Sequence, residues 1–100
     1  MKTVIKKLVT IVSESALEEI LAEDFKKLGA HGYTVTEARG EGARGKRSAD
    51  WDQNRNIRIE VVCDDSVKNA IVQHLVNHYY ENYAMVVYVS DVEVLRPEKF

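Results

Sequence analysis

The chain has 100 residues, of which 45% are apolar and 30% charged, with a single proline and a formal net charge of −2. This length and composition predict one ordered domain over residues 1–100 and exclude a disordered tail or linker. The slightly acidic balance argues against a general nucleic-acid binder, which needs a basic surface. Cys63 is the only cysteine and no apolar run approaches twenty residues. We therefore expect a cytoplasmic protein without an intrachain disulfide that does not insert into a membrane.

The predicted elements follow the order βαββαβ. β-branched residues from Ile5 to Val12 predict a first strand, and Ser15 followed by Glu18 has the spacing of a capping box at a helix start. This first helix should end at Gly29. The pattern then predicts strands at 33–39 and 57–61, a helix at 67–79 and extended chain from Met85 to Leu95.

Right-handed crossovers on this order give the fold class α+β, ferredoxin-like: a four-stranded antiparallel sheet with two helices on one face. The other face of the sheet stays uncovered, so we expect a partner there, and closed symmetry of identical subunits is the usual solution.

A basic, glycine-rich stretch from Gly40 to Ser48 is the most informative part of the sequence. Glycines let backbone N–H groups converge on an anion, and guanidinium groups bind phosphate or carboxylate with two hydrogen bonds. From Arg39 to Arg58 there are six Lys or Arg against three acidic residues, a local charge of +3 in a chain of net charge −2. The stretch belongs to a long polar loop, Gly40–Asn56, and loops of that length are usually functional. It predicts a phosphate or bicarbonate site, with an ordinary solvated face as the alternative.

Other candidate sites are weaker. His74 and His78 lie four residues apart, a spacing compatible with a metal, but no further ligand completes a set, so core or boundary histidines are favoured and no metal is expected. No catalytic residue is predicted, because nothing near Cys63 suggests a nucleophile with its base. An RNA-recognition domain is excluded, because its two central strands need aromatic residues for stacking bases. For Tyr79, Tyr80, Tyr83 and Tyr88, packing is favoured over base stacking.

Several segments together resemble a known family. They are Gly32-Tyr33-Thr34-Val35, Gly40 to Arg44 with Arg47-Ser48, Asn56 to Val61, and Val92 to Arg96 with Lys99-Phe100. On these motifs, which extend over nearly the whole chain, the sequence resembles the PII signalling superfamily. The similarity is greatest to its PII-like, bicarbonate-linked branch of SbtB-type and carboxysome-associated regulators. The resemblance implies a homotrimer of ferredoxin-like subunits with adenine nucleotides in the clefts between neighbours. It also implies a flexible T-loop, at about 41–56, that contacts target proteins.

The resemblance assigns expected roles to individual residues. Thr34 would contact the adenine, and Arg96 would close the cleft from the adjacent subunit. The phosphates would be held by the glycine turn and an arginine after it, namely Gly40, Glu41, Gly42, Ala43, Arg44 and Arg47. A threonine hydroxyl can read a purine edge, and amides with guanidinium groups suit phosphate.

Departures from the family pattern refine this expectation. Residues 82–85 read Asn-Tyr-Ala-Met, where classical PII proteins keep a Gly-Asp-Gly-Lys turn that grips the outer phosphates of ATP. AMP, ADP or cyclic AMP should therefore be preferred over ATP with 2-oxoglutarate. The loop has no tyrosine for nucleotidyl modification, and Trp51 is expected at its tip.

The sequence thus predicts a non-enzymatic sensor that reports adenylate state, together with bicarbonate, to a membrane transporter of inorganic carbon. Two alternatives stay open at this point. One is a nucleotide hydrolase that uses the same cleft with Glu41 positioning water. The other is a ferredoxin-like structural or metal-tolerance trimer, in which the arginine-rich loop would have no purpose.

Overall fold

The computed structural model describes residues 2–42, 45–47 and 55–100. Its elements follow the predicted order and include six strands and two helices: β1 (Val4–Glu14), α1 (Glu18–Lys27), β2 (Thr34–Ala38), β3 (Gly40–Gly42), β4 (Gly45–Arg47), β5 (Asn56–Cys63), α2 (Asp65–His78) and β6 (Val86–Val94). Two short 3-10 turns, Ser15–Leu17 and Pro97–Lys99, precede α1 and follow β6.

Four strands form one antiparallel sheet in the order β2–β5–β1–β6. Both helices pack on the same face of it, where the buried side chains from alternate strand positions meet Leu21 and Phe25 of α1 and Ile71 and Leu75 of α2. These helix pairs are four residues apart and so lie on one side of each helix. The predicted ferredoxin-like fold class is confirmed.

Two local predictions differ from the structure. Ser15 does not cap α1: it lies in a 3-10 turn, and its backbone N–H donates to the carbonyl of Arg55 at 2.7 Å. The start of α1 at Glu18 has no side-chain cap hydrogen bond. The long polar loop is also not wholly irregular, because β3 and β4 pair as a two-stranded hairpin. Short Gly-rich strands carry too little apolar alternation to be recognised in a sequence.

Gly29 ends α1 as predicted, and its φ of 106° is the reason. Residues with a Cβ rarely adopt this left-handed conformation. An added Cβ would also lie 3.2 Å from Cγ2 of Val67, which packs beside it at the start of α2.

The sheet face away from the helices is largely open, as expected. Along the edge strand β6 and the start of β1, Val86, Tyr88 and Val4 expose 46%, 53% and 43% of their surface. Of the four tyrosines assigned to packing, Tyr79 is buried in the core, whereas Tyr80, Tyr83 and Tyr88 are exposed. Neither α1 nor α2 is long and apolar enough to cross a bilayer.

Candidate functional site

The open sheet face carries a cavity of about 550 Å³, which we term the open-face cavity. Its floor is apolar and is supplied by alternate residues of three strands: Leu8 from β1, Val62 from β5, and Val92 and Val94 from β6. This alternation places all four side chains on the face away from the helices. The floor therefore offers a flat apolar surface to a ligand that arrives from the uncovered side of the sheet.

Polar and aromatic groups surround this floor. Thr34 and Glu60 are directly paired across β2 and β5, so their hydroxyl and carboxylate groups lie side by side. Tyr33 adds an aromatic ring where the chain enters β2. An apolar floor with a hydroxyl, a carboxylate and a ring is suited to a planar ligand that donates hydrogen bonds.

The C-terminal segment folds back onto the same cavity. In the 3-10 turn after β6, the N–H of Lys99 donates to the carbonyl of Arg96 and the N–H of Phe100 to that of Pro97, each at 3.1 Å. Lys99 and Phe100 consequently line the open-face cavity together with Thr34 and Glu60. The turn brings a cation and a second aromatic ring to the cavity rim.

A second cavity, the loop-base cavity, lies at the other end of β2, where the long loop begins and returns. It has a volume of about 460 Å³ and is lined by Glu37, Ala38, Arg39, Arg55 and Asn56. Nη1 of Arg55 donates to Oε1 of Glu37 at 3.2 Å. Since this carboxylate already accepts one guanidinium, Arg39 adds a second positive charge to the cavity, and the local field favours an anion.

The predicted site residues divide between these regions. Thr34 lies in the open-face cavity. Gly40, Glu41 and Gly42 form β3, where Gly40 is paired with Arg47 of β4. A Cβ added to Gly40 would meet nothing within 4 Å, so the space beside this backbone is open. Ala43 and Arg44 lie outside the described residues.

Arg96 is exposed at the start of the C-terminal turn and lies outside the lining of both cavities as the structure describes them. The structure thus brings Gly40 and Arg47 together but places Thr34 at the opposite end of β2.

Sequence reasoning did not identify Glu60, Val62, Lys99 and Phe100 as site residues. A signal for the first two was present: Glu60 and Val62 occupy alternate positions of a strand whose other face is apolar. The second pair carried no such signal, because only the turn at Pro97 directs Lys99 and Phe100 back to the sheet.

Comparison with known proteins agrees with this fold. The family model described as nitrogen regulatory protein P-II matches residues 6–99. A putative PII-like signaling protein from Thermus thermophilus is 51% identical, with a TM-score of 0.87, over 100% of this chain and 99% of that one. CPII from Thiomonas intermedia, a PII-like protein whose structure holds ADP and bicarbonate, is 25% identical with a TM-score of 0.87, over 99% and 97% of the chains. A further CPII structure, bound to ADP, AMP and bicarbonate, has a TM-score of 0.89 at 24% identity, over 99% and 96%.

Proposed function

This chain belongs to the nitrogen regulatory protein P-II family, and on that premise we propose that it is a regulatory sensor that binds adenine nucleotides. AMP, ADP or cyclic AMP is bound in preference to ATP, in clefts between the subunits of a homotrimer. The T-loop at about 41–56, much of which lies outside the described residues, contacts a target protein in response to binding. The function rests on binding alone, and no residue is assigned a catalytic role.

The observation that carries this proposal is the division of the site between the two ends of β2. The open-face cavity offers Thr34 and Glu60 to a base, whereas the cationic loop-base cavity begins at Glu37. Four residue steps along a strand separate Thr34 from Ala38, about 13 Å. A cleft between two subunits can place the base cavity of one protomer beside the cationic loop of its neighbour, and this supports a shared site.

The uncovered sheet face supports the trimer. Val4, Val86 and Tyr88 lie about half exposed on this face, and exposed apolar side chains are costly in water. Burial against identical subunits removes this cost and encloses the open-face cavity at the same time. Arg96, which is exposed and lies outside both cavities of its own subunit, is then available to a phosphate in the neighbouring cleft.

The preference for AMP and ADP is supported by the turn before β6. Met85 occupies the position at which classical PII proteins carry the lysine that grips outer phosphates. Its side chain is buried in the core, so this position presents no cation to a third phosphate. Fewer charge-assisted hydrogen bonds to the γ-phosphate lower the affinity for ATP relative to ADP.

Bicarbonate is the second ligand of the proposal. CPII has been observed with ADP and bicarbonate together, and a small planar anion suits the amides and guanidinium groups at the loop base. A transporter of inorganic carbon, reached by the T-loop from the cytoplasmic side, is the proposed target.

Calorimetry with AMP, ADP, ATP, cyclic AMP and bicarbonate tests the proposal directly, with the oligomeric state measured by light scattering on the same sample. We expect a trimer that binds ADP more tightly than ATP, and Arg44→Ala should abolish this binding while the trimer persists. Lys27→Ala removes an exposed cation near the end of α1 and serves as the control, which should bind as the wild type does. A monomer, or a protein that binds none of the five ligands, would contradict the proposal. Steady phosphate release from bound ATP would favour the hydrolase instead.

A further inference from the structure

Phe100 supplies an aromatic ring to the open-face cavity from outside the sheet. The strand residues that line this cavity come from β2, β5, β1 and β6, so the cavity extends across the sheet from one edge strand to the other. Neighbouring strands lie about 4.8 Å apart, which places the two edge strands about 14 Å from each other. The remaining lining comes from the residues just before β2 and from Lys99 and Phe100 after β6.

The turn after β6 determines where this ring lies. Pro97 begins the turn and fixes its own φ at about −65°. The N–H groups of Lys99 and Phe100 then donate to the carbonyls of Arg96 and Pro97 at 3.1 Å. A segment that is already ordered loses less conformational entropy when a ligand contacts it. The ring is therefore placed at the cavity before a ligand binds.

The core does not consume the apolar surface of this ring. Phe25, the other phenylalanine of the chain, is 1% exposed in the core, whereas Phe100 is only partly buried and lies outside the core cluster of the described residues. With Phe100 in this position, the cavity still has a volume of about 550 Å³, which is within the range of small-molecule sites. Phe100 is thus a wall of the cavity and does not fill it.

The groups around this space are suited to a planar base. Leu8, Val62 and Val92 give an apolar floor, which contacts the face of a base. Thr34 and Glu60 offer oxygen atoms to the edge of the base, where its hydrogen-bonding groups lie. An aromatic side chain completes such a site, because every base has a π-face on which it can stack.

We propose that Phe100 is a stacking residue of the nucleotide site, which holds the base between its ring and the apolar floor of the sheet. This inference rests on the proposed binding of adenine nucleotides and adds to that site a residue from outside the sheet. Thr34 and Glu60 contact the edge of the base, whereas Phe100 contacts its face. Because the base then contacts both the sheet and the turn, nucleotide binding fixes residues 97–100 against the sheet.

Titration calorimetry with ADP on the assembled protein tests this inference in Phe100→Leu and Phe100→Tyr. Leucine keeps apolar bulk but removes the ring, so the affinity for ADP should fall about five-fold or more. Tyrosine restores the ring and should bind ADP as the wild type does. The control is Glu98→Gln, which changes an exposed residue of the same turn outside the described lining of the cavity and should leave the affinity unchanged. Equal melting temperatures of the unliganded variants exclude a folding defect.

Nuclear magnetic resonance of bound ADP gives the structural readout. An aromatic ring stacked over the base shifts the C–H protons of adenine upfield. This shift should be smaller in Phe100→Leu and should return in Phe100→Tyr, whereas any contribution of Tyr33 is the same in all variants. A reduced shift together with reduced affinity is the result expected of a stacking residue.

The other outcomes separate this inference from the proposed function. If Phe100→Leu binds ADP with the affinity and the proton shifts of the wild type, stacking is refuted and nucleotide binding stands. If Phe100→Leu binds ADP more tightly, stacking is also refuted, because Phe100 then competes with the base for the cavity. If the wild type binds none of the adenine nucleotides, the proposed function and this inference are both wrong.

Discussion

Replacement of Thr34 by valine isolates the base-reading contact of the proposed nucleotide site. The two side chains have nearly the same shape, and valine is at least as favourable in a strand, so the change removes a hydroxyl and little else. Thr34 is exposed at the rim of the open-face cavity beside Glu60. A hydrogen bond between uncharged groups contributes about 0.5–1.5 kcal/mol, which corresponds to a loss of affinity for ADP of about 2- to 13-fold.

Thr36→Val is the matched control for this experiment. Thr36 lies on the same strand and the same face, is also exposed, and is outside the described linings of both cavities. Titration calorimetry with ADP should show weaker binding for Thr34→Val and unchanged binding for Thr36→Val, with equal melting temperatures. If both variants bind ADP as the wild type does, Thr34 does not contact the base. If the affinity for ADP falls equally in both variants, the loss is a general effect of substitution in β2 and not the loss of one hydroxyl contact.

Further predictions concern stability and reactivity. Gly29→Ala should lower the free energy of unfolding by about 1–2 kcal/mol in denaturant titration, because the left-handed φ and the contact with Val67 both oppose a Cβ. The control is Gly32→Ala, where an added Cβ meets nothing within 4 Å, and this variant should unfold with the same free energy as the wild type. Phe25→Ala, which empties a fully buried position, should cost about 3–5 kcal/mol in the same assay. Burial raises the pKa of the Cys63 thiol, so it should react slowly with a thiol reagent at neutral pH. Because the thiol ionises more readily in the unfolded chain, stability should fall as the pH rises above about 8.5, and Cys63→Ala should reduce this slope. A slope that is unchanged in that variant would contradict the assignment.

Much of the fold was predictable from local pattern. The two central strands were identified by the abundance of β-branched residues from Ile5 to Val12 and by the alternation from Ile57 to Val61. An apolar face toward the helices needs an apolar residue at every second position. The helix ends were less accurate. The hydroxyl of Ser15 matched a capping motif, but the backbone N–H of Ser15 is taken by the carbonyl of Arg55, a partner forty residues away.

The candidate site was predictable only in part. Thr34 and the glycine turn belong to contiguous motifs. The glycine turn was recognised from its residue types, whereas Thr34 was assigned through the family resemblance. Glu60 and Phe100 were missed because each acquires its role from a distant neighbour: strand pairing brings Glu60 beside Thr34, and the C-terminal turn brings Phe100 to the same cavity.

The amino-acid sequence by itself determined the order of the elements, the excess of positive charge around the long loop and the kinship with the P-II family, since these depend on residue types and their spacing along the chain. Only the tertiary structure revealed that His74 and Tyr79 both contact the carboxylate of Asp24. It also showed that the open-face cavity and the loop-base cavity lie at opposite ends of β2. The physical reason is that hydrogen bonds and cavities depend on distances of a few ångströms between groups that lie far apart along the chain, such as Asp24 and Tyr79. Sheet register and helix packing set those distances.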